Sequence, residues 1–168
     1  MPAKTRDPEA KRSAVQAEGG CVCGAVRFEI DVPAVWAWHD HGPASRQAQG
    51  CAYATYVGSW KRRLRMLAGE DQITRYEDKE LGTARGFCAR CGTPLFYERA
   101  RSPKMINIPR AAFATRTGRE PRYHLNLTHQ PDWSYLGEAL MPLKGYPGVM
   151  VERPRKKTAR AAPDPMFD

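Results

Sequence analysis

Apolar and polar residues alternate strictly through Val26-Arg27-Phe28-Glu29-Ile30-Asp31-Val32, the period of a strand with one buried face. Shorter runs rich in β-branched and aromatic residues at 53–57, 64–67, 73–76, 84–87, 95–97, 105–108 and 123–127 predict further strands. Fourteen glycines and fourteen prolines punctuate the chain, so turns come at short intervals. Only residues 43–49 read as a helix, and a short one. Many short strands closed by frequent turns predict an all-β fold of antiparallel strands with little helix.

With 168 residues, one domain around one core is the expectation. Residues 1–18 mix proline, alanine and charge without periodicity, and predict a disordered leader. Residues 151–168 hold three prolines and a basic cluster, and predict a disordered basic tail. The folded domain is therefore expected over 19–150. No apolar run approaches the roughly 18 residues of a spanning helix, so no membrane association is expected. The first twenty residues lack the apolar stretch of a secretory signal, and the expected location is cytoplasmic. Lysine and arginine number 27 against 18 acidic residues, a net charge of +9. Such a balance favours an anionic partner: a small carboxylate, a phosphate or nucleic acid.

Five cysteines narrow the chemistry: Cys21, Cys23, Cys51, Cys88 and Cys91. An odd count in a reducing compartment argues against a disulfide framework. Four of them form the close pairs Cys21-Val22-Cys23 and Cys88-Ala89-Arg90-Cys91. In an extended segment, side chains two apart share a face, so Cys21 and Cys23 can aim at one ion. Cys91 is followed by Gly92, which can take the left-handed conformation of a tight turn. Two pairs of thiolates are what tetrahedral zinc requires, and a closed four-thiolate site is structural rather than catalytic.

Two longer stretches carry a resemblance. They are Gly19-Gly20-Cys21-Val22-Cys23-Gly24-Ala25-Val26-Arg27-Phe28 and Arg85-Gly86-Phe87-Cys88-Ala89-Arg90-Cys91-Gly92-Thr93-Pro94-Leu95-Phe96. Together with Leu67-Ala68-Gly69-Glu70-Asp71, His124 and Leu140-Met141-Pro142, they resemble the glutathione-dependent formaldehyde-activating enzyme (GFA) family, which includes centromere protein V. The resemblance implies a β-tent with a structural zinc on Cys21, Cys23, Cys88 and Cys91. It also implies a carbon–sulfur lyase that joins formaldehyde to the glutathione sulfur at a second zinc held by three cysteines.

Aligned on Arg46 and Gly50, those three positions are Asp40, Gly42 and Ser45 here, so all three thiolates are replaced. The second site is thus degenerate or altered, and the catalytic residues are unassigned. His39, His41 and Cys51 are candidate substitutes, since imidazoles with a carboxylate or thiolate would suit zinc. The resulting reading is a zinc-binding GFA-family protein, nominally a carbon–sulfur lyase acting on glutathione-type thiol adducts. The alternative is a non-catalytic module that binds an acidic ligand or nucleic acid.

The segment Trp60-Lys61-Arg62-Arg63-Leu64-Arg65 follows Tyr53 and Tyr56, so rings and positive charge are interleaved. Residues 99–119 add six basic side chains and no acidic one. Together they allow a groove for phosphates with rings for base stacking, or else a solvated basic loop whose aromatics belong to the core.

Overall fold

The alternation at 26–32 becomes the strand β2 (Arg27–Asp31), with Phe28 and Ile30 fully buried. The computed structural model describes residues 15–134 and 140–152. β1 (Gln16–Gly20) and β5 (Leu64–Ala68) flank β2 in a three-stranded antiparallel sheet of order β1-β2-β5. On its polar side, the Arg65 guanidinium donates to Glu29 Oε1 and Asp31 Oδ1, each at 2.6 Å. The same alternation therefore supplies the apolar face and the acidic partners of Arg65.

Nine more strands form the second sheet: β3 (Trp36–Asp40), β4 (Ala54–Trp60), β6 (Ile73–Asp78), β7 (Thr83–Cys88), β8 (Pro94–Arg99), β9 (Met105–Pro109), β10 (Tyr123–Leu125), β11 (Leu140–Pro142) and β12 (Met150–Glu152). Their order is β11-β12-β10-β3-β4-β9-β8-β7-β6. All pairings are antiparallel except β10 with β3, which run parallel. The helix α1 (Pro43–Gln49) begins with a proline in its first turn, where no N–H partner is missed. Gly50 caps it in the left-handed conformation. The fold is mostly β, as the pattern of short strands predicts. Among the described residues, no helix is long and apolar enough to cross a membrane.

Both faces of the large sheet are used. Ala37, Val57, Ile106 and Ile108 share the main core with Phe28, Ile30 and Phe113. Phe28 meets Phe113 edge-on, with centroids 5.5 Å apart. Burying one such ring contributes about 1.5–3 kcal/mol. A second cluster builds on Trp38 and Tyr56, flanked by Trp36, Cys51, Tyr97, Tyr123 and Leu125. Because successive residues of a strand alternate faces, Trp38 and Asp40 of β3 lie opposite Ala37 and His39.

Three boundaries differ from the sequence expectation. Residues 16–18, expected within the leader, belong to β1, where Ala17 is fully buried opposite Ile30. The free edge of β2 needs a hydrogen-bonding partner, and this small apolar residue joins the core across from Ile30. At the other end β12 crosses residue 151, pairing with β10 and β11. The rest of the expected leader (1–14) and of the basic tail (153–168) lies outside the described residues. The strand expected at 123–127 stops at Leu125, because Asn126 takes φ 57° and starts a single 3-10 turn over Leu127–His129.

Candidate metal centre and the adjoining cleft

Two turns bring the paired cysteines together. Cys21 and Cys23 lie in the tight connection from β1 to β2, where Gly24 N–H donates to Cys21 O at 3.0 Å. Cys88 ends β7, and Gly92, at φ 72°, donates its N–H to Cys88 O at 2.8 Å and swings Cys91 back. One sulfur from each of the four lies within 4.8 Å of the others. Cys21 Sγ is 3.4 Å from Cys23 Sγ, which is 3.9 Å from Cys88 Sγ. A zinc–sulfur length of ~2.3 Å at tetrahedral angles requires sulfurs about 3.8 Å apart.

Outer contacts orient the set. Val26 N–H donates to Cys21 Sγ at 3.2 Å, and the Thr93 hydroxyl lies 3.1 Å from Cys91 Sγ. The Thr93 hydroxyl and amide pull the Cys91 thiol down to about 6. Against the Ala25 amide, which lowers it, partial desolvation and the neighbouring sulfurs push Cys23 up to about 11. Sulfurs this close resist ionising together unless a cation sits between them, so the set fits a metal. All five cysteines are free thiols. The cluster lies where the β1–β2 connection of the small sheet meets the end of β7 in the large one.

The family's second position has a different chemistry. Asp40 closes β3, Gly42 is the N-cap of α1, and Ser45 lies in its first turn. The Asp40 carboxylate is 7% exposed and accepts three hydrogen bonds. Gly42 N–H donates to Oδ1 at 2.9 Å, Asn126 Nδ2 donates to Oδ1 at 2.8 Å, and Ser45 Oγ donates to Oδ2 at 2.7 Å. The three positions do converge, but on a carboxylate already engaged by neutral donors. Gly42 offers no side-chain ligand, so these residues do not fit the family's three-thiolate zinc. Asn126 went unseen in the sequence, since nothing local ties it to a residue 86 positions earlier.

Beside this network opens a cleft of about 560 Å³, lined by Asp40, Ser45, Asn126 and a cationic group of Arg85, Arg99 and Arg101. Arg85 stacks over Tyr97 at 4.5 Å and donates to Tyr56 Oη at 3.2 Å. Arg99 lies 6.0 Å from the Trp38 ring, and its buried Nε has no hydrogen-bond partner. Burial and the Arg101 charge hold Arg99 below the usual guanidinium range. Among the described residues, none of the three arginines makes an ion pair. By contrast, Lys61 pairs with Glu98, and Arg65 with Glu29 and Asp31. In the interleaved segment Tyr56 belongs to the core, while Trp60, Lys61, Arg62 and Lys104 line a separate hollow of about 630 Å³.

The candidate substitutes divide. Cys51 packs against the Trp38–Tyr56 cluster, where burial pushes its thiol up, and it joins neither metal-capable group found among the described residues. His39 and Asp40 point to opposite faces of β3, so they do not share one ion. His39 and His41 instead meet His124 across the parallel pairing of β3 with β10. Burial and the nearby His124 ring hold both His39 and His41 down at about 4, so they are neutral near pH 7.

Comparison with known proteins agrees with these features. Residues 16–129 match the profile described as glutathione-dependent formaldehyde-activating enzyme. A Halomonas elongata protein provisionally named for that activity is 29% identical over 123 residues, covering 69% of this chain and 78% of its own. A crystal structure of a Rhodobacter sphaeroides protein superposes with a TM-score of 0.51 at 23% identity, over 59% of this chain and 89% of that one. It shares the fold. The matched stretch runs from β1 past the second cysteine pair to the turn after β10, and by it this chain belongs to the glutathione-dependent formaldehyde-activating enzyme family.

Proposed function

We propose that this chain is a β-tent member of the family that carries a structural zinc on Cys21, Cys23, Cys88 and Cys91. In this reading its cleft binds a small anionic ligand of the glutathione type without the family's zinc-centred carbon–sulfur chemistry. The observation that carries it is the Asp40 carboxylate, hydrogen-bonded to Gly42, Ser45 and Asn126 where thiolates would hold the second zinc. Beside it, Arg85, Arg99 and Arg101 offer unpaired guanidinium groups to the carboxylates of a peptide-like thiol. A small ligand is favoured over nucleic acid because Lys61 and Arg65 are already matched by carboxylates. Four thiols held for a metal also suit a reducing, cytoplasmic location.

The test has two arms. NMR exchange between formaldehyde and glutathione should proceed at the spontaneous rate with the protein present, with or without added zinc. Calorimetric titration with glutathione should show binding that weakens in Arg99→Gln. Catalysis well above the spontaneous rate overturns the loss of chemistry. Tight binding of a mixed oligonucleotide that falls steeply with salt, with none of glutathione, supports the nucleic-acid module instead.

A further inference from the structure

The face of β3 opposite Asp40 carries a second constellation. His39 and His124 stand directly opposite one another on β3 and β10, with ring centroids 4.6 Å apart. On β12, Met150 pairs with His124, and alternation returns residue 152 to the same face. One ligand atom from each of His39, His124 and Glu152 lies within 4.8 Å of the other two.

Two features set this group apart from an ordinary polar cluster. Each histidine has one ring nitrogen anchored, His39 Nδ1 at 2.9 Å from Thr55 Oγ1 and His124 Nδ1 at 2.9 Å from His41 Nε2. That leaves the His124 Nε2 facing Glu152, and metal-ligating histidines are oriented in just this way by a partner on the other nitrogen. Furthermore, His124 is 2% exposed, yet its Nε2 has no hydrogen-bond partner and sits 3.6 Å from Glu152 Oε1. A buried polar atom without a hydrogen bond is unfavourable, and a cation between it and the carboxylate would relieve that cost.

We propose that His39, His124 and Glu152 bind one divalent cation of the zinc class through two imidazoles and a carboxylate. Three protein ligands of this kind leave a fourth coordination position for water or a ligand atom. The site is separate from the Asp40–Gly42–Ser45 network, because alternation along β3 places the two on opposite faces. The Glu152 carboxylate supplies one negative charge beside the two imidazoles. Glu152 is the most exposed of the three, its side chain 27% accessible, and marks the side from which an ion enters.

The experiment is metal titration of the whole protein with zinc, and separately with cobalt(II), read by stoichiometry and visible absorption. The expected result is two ions per chain. The first cobalt ion should show intense thiolate charge transfer, and the second only the weaker ligand-field bands of nitrogen and oxygen donors. His124→Ala and Glu152→Gln should each remove the second ion and leave the first. His41→Ala, which releases the His124 ring, should weaken the second ion about 10–100-fold. Asp40→Asn should leave both ions in place. If His124→Ala does not fold, Glu152→Gln, at the accessible edge, still decides the matter. A single ion per chain at saturating zinc overturns the proposal, as does a second ion that survives both ligand substitutions or shows thiolate charge transfer. None of these readouts involves glutathione or formaldehyde, so the proposal stands or falls apart from the family activity.

Discussion

Replacing Cys88 by serine tests how far the fold depends on its sulfur cluster. Cys88 is fully buried at the end of β7, and it joins Cys23, 65 residues earlier, across the two sheets. Treated as a cross-link, a metal that closes a loop of 65 residues removes about 4 kcal/mol of unfolded-state entropy. A domain of this size has only about 5–15 kcal/mol of net stability. At about 2–4 °C per kcal/mol, the cross-link alone corresponds to a drop of roughly 8–16 °C in melting temperature. Three remaining thiolates hold the metal less tightly than four, and this drop is the one expected when the ion is lost. The assay pairs zinc released on denaturation with thermal unfolding followed by far-ultraviolet circular dichroism, each with and without EDTA. Wild type should hold the cluster zinc and melt lower in EDTA, while Cys88→Ser should lack that ion, aggregate or melt low, and respond to EDTA less than wild type. A Cys88→Ser protein that unfolds cooperatively at the wild-type temperature would show that the cluster does not hold the sheets together.

Further outcomes follow from particular contacts. Asp40→Ala leaves the Ser45 hydroxyl, the Asn126 amide and the Gly42 N–H without their acceptor, and should cost about 2–4 kcal/mol in urea unfolding. A loss under half a kcal/mol would mean that water replaces the carboxylate at no cost. Glu98 is held below the usual carboxylate range by Lys61 and Arg75, against burial, which raises it. Its folded form binds the proton less readily than its unfolded form, so its contribution is present above pH ~4.5 and is lost as pH falls through the lowered value. Glu98→Gln should therefore flatten part of the acid limb of a stability–pH profile, and an unchanged limb refutes the assignment. Gly69 has φ +69°, and a Cβ there would collide with the Ala25 carbonyl. Gly69→Ala should lower stability by about 1–3 kcal/mol in thermal melts, and an unchanged melting temperature would show that the Ala25 turn moves freely.

Short-range pattern determined a good deal of this protein. The alternation at 26–32, the helix at Pro43–Gln49 and the two cysteine pairs are legible because their geometry is set within a few residues. Replacement of three thiolates by Asp40, Gly42 and Ser45 is equally plain in the sequence. What those residues do instead is not. The Asp40 network closes through Asn126, 86 residues on, and the His41–His124 contact spans 83. Both depend on β10 lying parallel to β3, and no local signal announces which strands become neighbours in a sheet or in what register. β1 was hidden for the same reason, since its polar, glycine-ended segment becomes a strand only because β2 leaves an edge to fill. Likewise His39 and Asp40 are adjacent in sequence but belong to different sites, because the pleat sends them to opposite faces and the sheet's neighbours decide what each face meets.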